Sequence, residues 1–171
     1  MPHHNFSLLI SPPTVDEETA ASRLYGGGCD DALFTVSGGV YEVDFDREAA
    51  SLREAVLTAI RDVERSGVGA RVVRVVPDDL VNANTIAERS GKTRQAVRLW
   101  ILGERGQGFP APGAMVGKSP VWSWATVAAW LRRRGVIESD VVEDAVVLAD
   151  INRGLQRKSA PAKGLLVGLR G

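Results

Sequence analysis

Residues 82–101 read NANTIAERSGKTRQAVRLWI, and this stretch predicts two short helices joined by a tight turn. Asn82 is a residue type that caps helix N-termini, and Gly91 suits a left-handed residue between the helices. Thr93 can then cap the second helix. The stretch therefore predicts a helix-turn-helix unit.

The second of these helices has two chemically different faces. Val97 and Trp100 fall on one side, where they can pack against the first helix, and long polar side chains fall on the other. A helix that reads DNA needs this division, because apolar residues fix it in place while hydrogen-bonding side chains reach the base edges. The candidate DNA-binding residues are Lys92, Thr93, Arg94, Gln95, Arg98 and, further along the chain, Lys118.

Charge is distributed unevenly along a chain that is neutral overall, with 21 basic and 21 acidic residues. Residues 1–79 contain 7 Arg and 14 Asp or Glu, a net charge of −7. Residues 80–135 contain 9 Lys or Arg and 2 Glu, a net charge of +7, and residues 136–171 balance at 5 and 5. A basic region beside an acidic one is typical of a protein in which one module contacts a polyanion, although many basic surfaces are simply solvated.

Composition favours a soluble globular protein of one domain or two small ones. The chain has 171 residues, of which 44% are hydrophobic and 25% charged. A single cysteine, Cys29, permits neither an intramolecular disulfide nor a CxxC site, which favours a reducing cytoplasm. The N-terminus lacks the basic region of a secretory signal, and no apolar run approaches the roughly 20 residues that cross a membrane. We therefore expect a cytoplasmic protein with no membrane segment.

Residues 1–77 predict a second module. Capping-box spacings from Thr14 to Glu17 and from Ser51 to Glu54 each open a helix. Strands are predicted at residues 6–10, 31–37, 40–46 and 70–76. The resulting order β-α-β-β-α-β is the ferredoxin-like arrangement, with both helices on one face of a four-stranded antiparallel sheet. The predicted fold class is therefore α+β.

The open face of this sheet admits three interpretations. Tyr41 and Phe45 alternate on the third strand and could stack RNA bases, but the net charge of −7 opposes a phosphate backbone. Glu42, Asp44 and Asp46 share one strand face and could hold Mg²⁺, although no His, Cys or Lys accompanies them. The third interpretation, which we favour, is self-association or binding of a protein partner through the sheet face or an edge strand.

A small β-hairpin and a third helix are predicted after the helix-turn-helix. Residues 109–112, FPAP, and residues 121–124 should pair as strands, with Lys118 at the tip between them. A helix at 126–134 would then direct Val127, Trp130 and Leu131 inward. Its end, Arg132-Arg133-Arg134, lies where the helix dipole favours cations, so contact with phosphate is only one of two explanations for the arginine run.

Residues 80–135 resemble the AlpA/excisionase branch of the MerR-like winged helix-turn-helix superfamily. The shared features are a helix-turn-helix that ends in a Trp, an FPxP hairpin, and a W-x-x-x-x-V-x-x-W-L pattern from Trp122 to Leu131. The resemblance implies a small DNA-binding regulator with the second helix in the major groove and the hairpin as a wing. It assigns base recognition to Thr93, Arg94, Gln95 and Arg98, and the wing role to Lys118.

Two features depart from that family. Ala125 stands where such proteins often have a capping Ser or Asp, which should weaken the start of the third helix by about 1 kcal/mol. The long N-terminal module is also absent from those small factors. The whole chain resembles uncharacterised actinobacterial helix-turn-helix proteins, a resemblance that implies no function.

The last segment, residues 136–171, should contain a helix at 138–156 and a flexible basic tail. Val141, Leu148 and Ile151 share a face of this helix, which could cover the winged helix of its own chain or pair with a second subunit. A single winged helix contacts DNA over a small area, so we expect a homodimer that binds half-sites about one helical turn apart.

The sequence therefore predicts three segments: a ferredoxin-like module at 1–77, a winged helix-turn-helix at 78–135, and a helix with a tail at 136–171. The expected function is sequence-specific binding of double-stranded DNA by a transcriptional regulator, without catalysis, cofactor or metal. The main alternative is an antitoxin whose acidic N-terminal module binds a basic toxin while the same DNA-binding domain autoregulates the operon. RNA binding is a remote third possibility.

Overall fold

The computed structural model of the protein describes residues 1–160, and residues 161–171, where most of the predicted flexible tail falls, lie outside the described residues. The strands are β1 (His3–Ile10), β2 (Ala32–Ser37), β3 (Val40–Glu48), β4 (Val72–Val76), β5 (Leu80–Val81), β6 (Ala114–Val116) and β7 (Ser119–Ser123). The helices are α1 (Glu17–Gly26), α2 (Leu52–Arg65), α3 (Ala83–Ser90), α4 (Arg94–Ile101), α5 (Trp124–Arg133) and α6 (Ser139–Ser159). The fold is mixed α+β with antiparallel sheets, as the sequence predicts.

The first four strands form one sheet in the order β2-β3-β1-β4, and every neighbouring pair is antiparallel. Alternate residues of β1, namely Phe6, Leu8 and Ile10, are buried on the same face of the sheet. Val56 and Val63 of α2 belong to the same hydrophobic core as these residues. This core forms because apolar residues recur every second position in the strands and every third or fourth position in the helix.

The start of α1 differs from the prediction. Asp16 is the N-cap, since its carboxylate accepts a hydrogen bond from the Thr19 backbone N–H at 2.9 Å. Thr14 instead donates its hydroxyl hydrogen to the Val68 carbonyl oxygen, because its backbone is held beside that of Val68. The predicted cap at Ser51 is confirmed, because its hydroxyl oxygen accepts from the Glu54 N–H at 3.1 Å, while the Glu54 carboxylate accepts from the Ala50 N–H at 3.2 Å and not from that of Ser51.

The predicted aromatic surface on β3 is wrong. Phe45 is buried and its ring stacks on Phe6 with the ring centroids 5.3 Å apart, while Tyr41 packs against the same core. Both residues lie on the helix-covered face because they share the strand parity of the buried Val43, so they are not available to stack RNA bases. The opposite face carries the acidic residues Glu42, Asp44 and Asp46.

Those carboxylates interact with neighbouring strand residues. The hydroxyl of Ser7 donates to Asp44, and a ring nitrogen of His3 lies 3.1 Å from an oxygen of Asp46. Among residues 1–160, no three His, Cys, Asp or Glu side chains are grouped so that they could hold a metal ion. The structure therefore gives no support to the Mg²⁺ interpretation of this face.

The second unit contains a three-stranded sheet in the order β5-β7-β6, together with α3, α4 and α5. The predicted hairpin is misplaced, because residues 114–116, and not 109–112, pair with β7. Phe109 instead packs edge-on against Trp130 with the ring centroids 5.1 Å apart. The Pro110 carbonyl oxygen accepts a hydrogen bond from the Trp122 indole N–H at 2.9 Å, so the FPAP segment lies across the aromatic core and not in the sheet.

Helix α5 begins two residues earlier than predicted, and the expected weakness at Ala125 does not exist. Ser123 is the N-cap, with its hydroxyl facing the Thr126 N–H at 3.4 Å. Asp79 strengthens the same helix start, because its carboxylate accepts from the Ala125 N–H at 2.9 Å. The capping residues therefore precede the position at which the family pattern would place one.

Helix α6 joins the two units of the molecule. Its residues Leu148, Ile151 and Leu155 belong to the first core, whereas Ala145 belongs to the second. The proposed dimer surface on this helix is therefore wrong, since Leu148 and Ile151 are already buried in their own chain. No helix within the described range 1–160 is long and apolar enough to cross a membrane.

Candidate nucleic-acid interface

Local capping interactions define the two helices from which the candidate surface is built. The Asn82 side-chain oxygen accepts from the Thr85 N–H at 2.9 Å and so starts α3. Gly91 ends α3 in the left-handed conformation, with φ of 65°, which a residue with a Cβ adopts only at a cost. The Thr93 hydroxyl then accepts from the Ala96 N–H at 3.1 Å and starts α4. The predicted caps are confirmed at all three positions.

The inner face of α4 is fixed by aromatic packing. Val97 and Trp100 are buried, and the Trp100 ring lies 5.4 Å from the Trp130 ring of α5, centroid to centroid, in an edge-on contact. Phe109 contacts both rings, with its centroid 6.3 Å from that of Trp100 and 5.1 Å from that of Trp130. Large rings held between neighbours leave little freedom to the helix, so the residues on its outer face have defined positions.

The outer face brings together five of the six residues predicted to bind DNA. Lys92, Thr93, Arg94, Gln95 and Arg98 are all exposed, and they lie in the turn before α4 or in its first turns. Within residues 1–160, the side chains of Lys92, Arg94 and Arg98 form neither a hydrogen bond nor an ion pair. The N-terminal end of a helix also carries partial positive charge from its free backbone N–H groups, so this corner favours an anion.

Lys118 lies apart from α4, at the tip of the β6–β7 hairpin. Gly117 precedes it with φ of 61°, which allows the tight reversal between the strands. Met115 and Val116 on the same hairpin are 59% and 64% exposed, and sequence reasoning did not single them out. Their only signal in the sequence is apolar character at positions predicted to be loop, so the hairpin tip offers both a cation and apolar contact area.

The remaining basic residues of the second unit divide into two groups. Arg89 and Arg134 serve the fold: the Arg89 guanidinium lies 5.2 Å from the Trp124 ring, and that of Arg134 lies 4.4 Å from the Trp130 ring. Burial lowers the pKa of Arg89 despite the nearby carboxylates of Asp78 and Asp79. In contrast, Arg105, Arg132 and Arg133 are exposed, with no side-chain partner in the described part of the chain.

The predicted arginine run therefore has two roles and not one. Arg134 also donates a hydrogen bond to the Gln107 carbonyl oxygen at 3.1 Å, which holds the loop after α4 against α5. Arg132 and Arg133 project from the last turn of α5 and add positive charge to the surface of the second unit.

No protein-family model matches the chain, and neither does any curated protein or any solved structure. The resemblance to the AlpA/excisionase branch therefore stays a hypothesis that depends on the residues quoted for it.

Proposed function

We propose that this chain is a sequence-specific DNA-binding protein, a transcriptional regulator that acts by occupying an operator. The observation that carries the proposal is the exposed group Lys92, Thr93, Arg94, Gln95 and Arg98 at the start of a helix whose opposite face is fixed by Val97 and Trp100. Cations that are exposed and have no partner within the described residues can neutralise phosphates without first breaking an internal contact.

The side-chain chemistry of this group matches the edges of base pairs. An arginine can donate two hydrogen bonds to guanine, and a glutamine can bond in the same bidentate way to adenine. An α-helix fits the major groove, which would place Arg94, Gln95 and Arg98 against bases while Lys92 and the helix start face the backbone. Lys118, on the hairpin, would contact an adjacent phosphate.

Two architectural interpretations belong to the same proposal. The sheet order β2-β3-β1-β4, with α1 and α2 after β1 and β3, supports a ferredoxin-like first unit. The order α3-α4-β6-β7-α5, with the β6–β7 hairpin after α4, supports a winged helix-turn-helix in the second. Under this interpretation α4 is the recognition helix and the hairpin carrying Lys118 is the wing.

The test is DNA affinity measured on two kinds of DNA. Genome-wide mapping of bound DNA would provide the specific site, and a random duplex of equal length would serve as the comparison. Alanine at Arg94 or Arg98 should cost about 1–3 kcal/mol on the specific site and much less on random DNA. Arg65→Ala is the matched control. Arg65 is an exposed arginine of the first unit, which carries the net negative charge, so its loss should change neither affinity. Equal losses on both duplexes for Arg94→Ala and Arg98→Ala would refute the recognition-helix assignment.

The antitoxin alternative is supported by the acidic open face of the first sheet, where Glu42, Asp44 and Asp46 lie together. A small basic protein could bind there through charge complementarity. The protein and its E42Q/D44N/D46N variant, purified at low salt from the native cell, would separate the two functions. A basic partner that copurifies with the native chain only would favour the antitoxin, and the absence of any such partner would remove it.

A further inference from the structure

The two edge strands of the first sheet, β4 and β2, have different surroundings. At the β4 edge, the Asn152 side chain of α6 bonds to both backbone groups of Val75: its oxygen accepts from the N–H at 2.8 Å and its amide donates to the C=O at 2.9 Å. A side-chain amide thus takes the place of a neighbouring strand. Such cover prevents another chain from pairing with an edge strand.

Among residues 1–160, nothing comparable covers the β2 edge. Within the described residues, strand β2 pairs only with β3. The two-residue Gly38–Gly39 turn that joins them closes on a hydrogen-bonded pair, Ser37 with Val40. Bonded and non-bonded pairs alternate along an antiparallel ladder, so every second residue of β2, counted back from Ser37, bonds to β3. The backbone N–H and C=O groups of the residues between them, Ala32, Phe34 and Val36, therefore point away from β3. The hydrogen bond from the Asp46 N–H to the Asp31 carbonyl oxygen, at 3.1 Å, agrees with this alternation.

The composition of β2 also lacks the features that keep an edge strand unpaired. Its sequence, ALFTVS, contains no charge and no proline, and its register with β3 shows no bulge. Leu33 is 64% exposed on the open face, and Tyr25 of α1 is 68% exposed. A hollow of about 220 Å³, lined in part by Tyr25, Leu33 and Phe34, lies beside the strand. This edge therefore offers both free backbone groups and apolar contact area.

We propose that the partner of this edge is a second copy of the chain, paired antiparallel through β2 with Phe34 on the two-fold axis. Bonded pairs need an outward-facing residue on both strands, and the register that uses all three of them places Phe34 opposite the partner's Phe34, Ala32 opposite the partner's Val36, and Val36 opposite the partner's Ala32. The three pairs exchange about six hydrogen bonds, since each bonded pair contributes two.

Side chains favour this self-pairing. The two Phe34 rings meet beside Tyr25 on the helix-covered face, and an aromatic cross-strand pair stabilises a sheet. Asp31 is the nearest carboxylate and opposes the partner's Ser37, so no acidic pair forms there. Its charge is already offset by Arg47, whose guanidinium bonds to both oxygens of Asp31 at 2.7 and 2.9 Å. A strand without charge and with its flanking carboxylate neutralised can pair with a copy of itself without repulsion.

The dimer also constrains the spacing of the half-sites in the operator. Two joined sheets have eight strands, so the two β4 edges lie about 34 Å apart at a spacing of about 4.8 Å per strand. Helix α6 contacts both β4 of the first unit and α5 of the second, so each DNA-binding unit is attached near an outer edge. The half-sites should therefore lie about one helical turn of DNA apart or further, one turn being about 34–36 Å. This lower bound agrees with the spacing of about one turn expected from the sequence.

Sedimentation of the full chain at micromolar concentration tests the dimer, with V36P as the disrupting variant. Proline removes the outward N–H of Val36 and leaves the inward ladder to β3 intact, so the dimer dissociation constant should rise about 10–100-fold through two lost hydrogen bonds. V36A keeps the N–H and should remain dimeric. A native chain that sediments as a monomer, or a dimer that V36P does not weaken, would overturn the proposal.

Cross-linking tests the register and does not depend on whether V36P folds. In the proposed register Leu33 faces the partner's Thr35 in a non-bonded pair, where Cα atoms lie about 4.5 Å apart, within the range of a disulfide. The variant L33C/T35C should form a covalent dimer on oxidation, whereas L33C alone should not. Equal cross-linking of both variants, or of neither, would rule out this register.

Discussion

Arginine serves opposite purposes in the two units of this molecule. In the first unit, Arg47 is only 7% exposed and is enclosed by hydrogen-bond acceptors. In the second, Arg94 and Arg98 are exposed and have no side-chain partner among residues 1–160. Since the residue type is the same, the difference lies in the partners that the fold provides. An arginine surrounded by internal acceptors stabilises the protein, and an exposed one without them is available to an external anion.

The environment of Arg47 shows how a buried cation is tolerated. Besides Asp31, its guanidinium bonds to Asp62 at 2.9 Å and to the Gly28 carbonyl oxygen at 2.7 Å, and it lies 4.9 Å from the Phe45 ring centroid. Burial alone would lower the pKa of Arg47, but hydrogen bonds to the two carboxylates outweigh it and raise that pKa. The network joins β3, α2 and the loop before β2.

The largest effect is expected when this network is broken. Arg47→Met should lower the free energy of unfolding by about 3–5 kcal/mol, because Asp31 and Asp62 would remain partly buried without a counter-charge. The matched variant Arg94→Met should change it by less than about 0.5 kcal/mol. Urea denaturation followed by circular dichroism measures both. If the two variants lose similar stability, the contrast between structural and available arginines fails.

The next effect concerns the independence of the two units. Asn152→Ala leaves the Val75 N–H and C=O without partners in a buried position, which should cost about 2–3 kcal/mol. Gln156→Ala, an exposed change on the same helix, should be nearly neutral. The same contacts bear on the stability of a fragment ending at Pro77, the predicted end of the first module. Because it lacks Leu148, Ile151 and Asn152, we now expect it to unfold with less cooperativity than the full chain.

Local signals in the sequence predicted the structure best where a residue acts on its immediate neighbours. Asn82, Thr93 and Ser51 cap their helices as expected, and Gly91 adopts the left-handed conformation of the turn. Each of these effects depends on backbone groups within three or four residues. The exposed residues of α4 could be predicted for the same reason, since the spacing of Val97 and Trp100 determines which side of the helix faces outward.

Contacts between distant residues could not be predicted. Asn152 lies 77 positions from Val75, and nothing in the local pattern distinguishes it from a solvated asparagine. Phe109 looked like the start of a strand, but three tryptophan side chains, contributed by separate segments, surround it instead. Arg47 follows the acidic residues of β3, and nothing in that local pattern shows that it is buried. In each case the partner is defined by tertiary packing, which overrides local preference.

A third prediction uses a group that only the first unit contains. Burial raises the pKa of the Cys29 thiol from its ordinary value near 9 to about 12. Above pH 9 the unfolded chain releases this proton and the folded chain retains it, so stability should fall as pH rises through this range, by up to about 1.4 kcal/mol per unit. Denaturation at pH 8 and pH 10 measures the loss. In Cys29→Ala the difference between the two pH values should be smaller by that amount; an unchanged difference would contradict the assignment.

The smallest effect separates the two kinds of cation within the second unit. Lys118 is exposed at the hairpin tip, whereas Arg134 lies over Trp130 and bonds to Gln107. If Lys118 contacts one phosphate, Lys118→Ala should weaken specific and random DNA alike and reduce the slope of log affinity against log salt by about 0.9. The stability of the Lys118→Ala variant should equal that of the native chain, because no contact within the described residues is lost. Arg134→Ala should do the reverse: it should lower the melting temperature and leave the salt slope nearly intact, since its guanidinium is already held by the Trp130 ring and the Gln107 carbonyl oxygen. Affinity titrations at several salt concentrations, together with thermal melting, distinguish the two variants. If the salt slope falls equally in Lys118→Ala and Arg134→Ala, the contacts of Arg134 with Trp130 and Gln107 do not keep it from binding DNA. The division between structural and available cations would then not hold within the second unit.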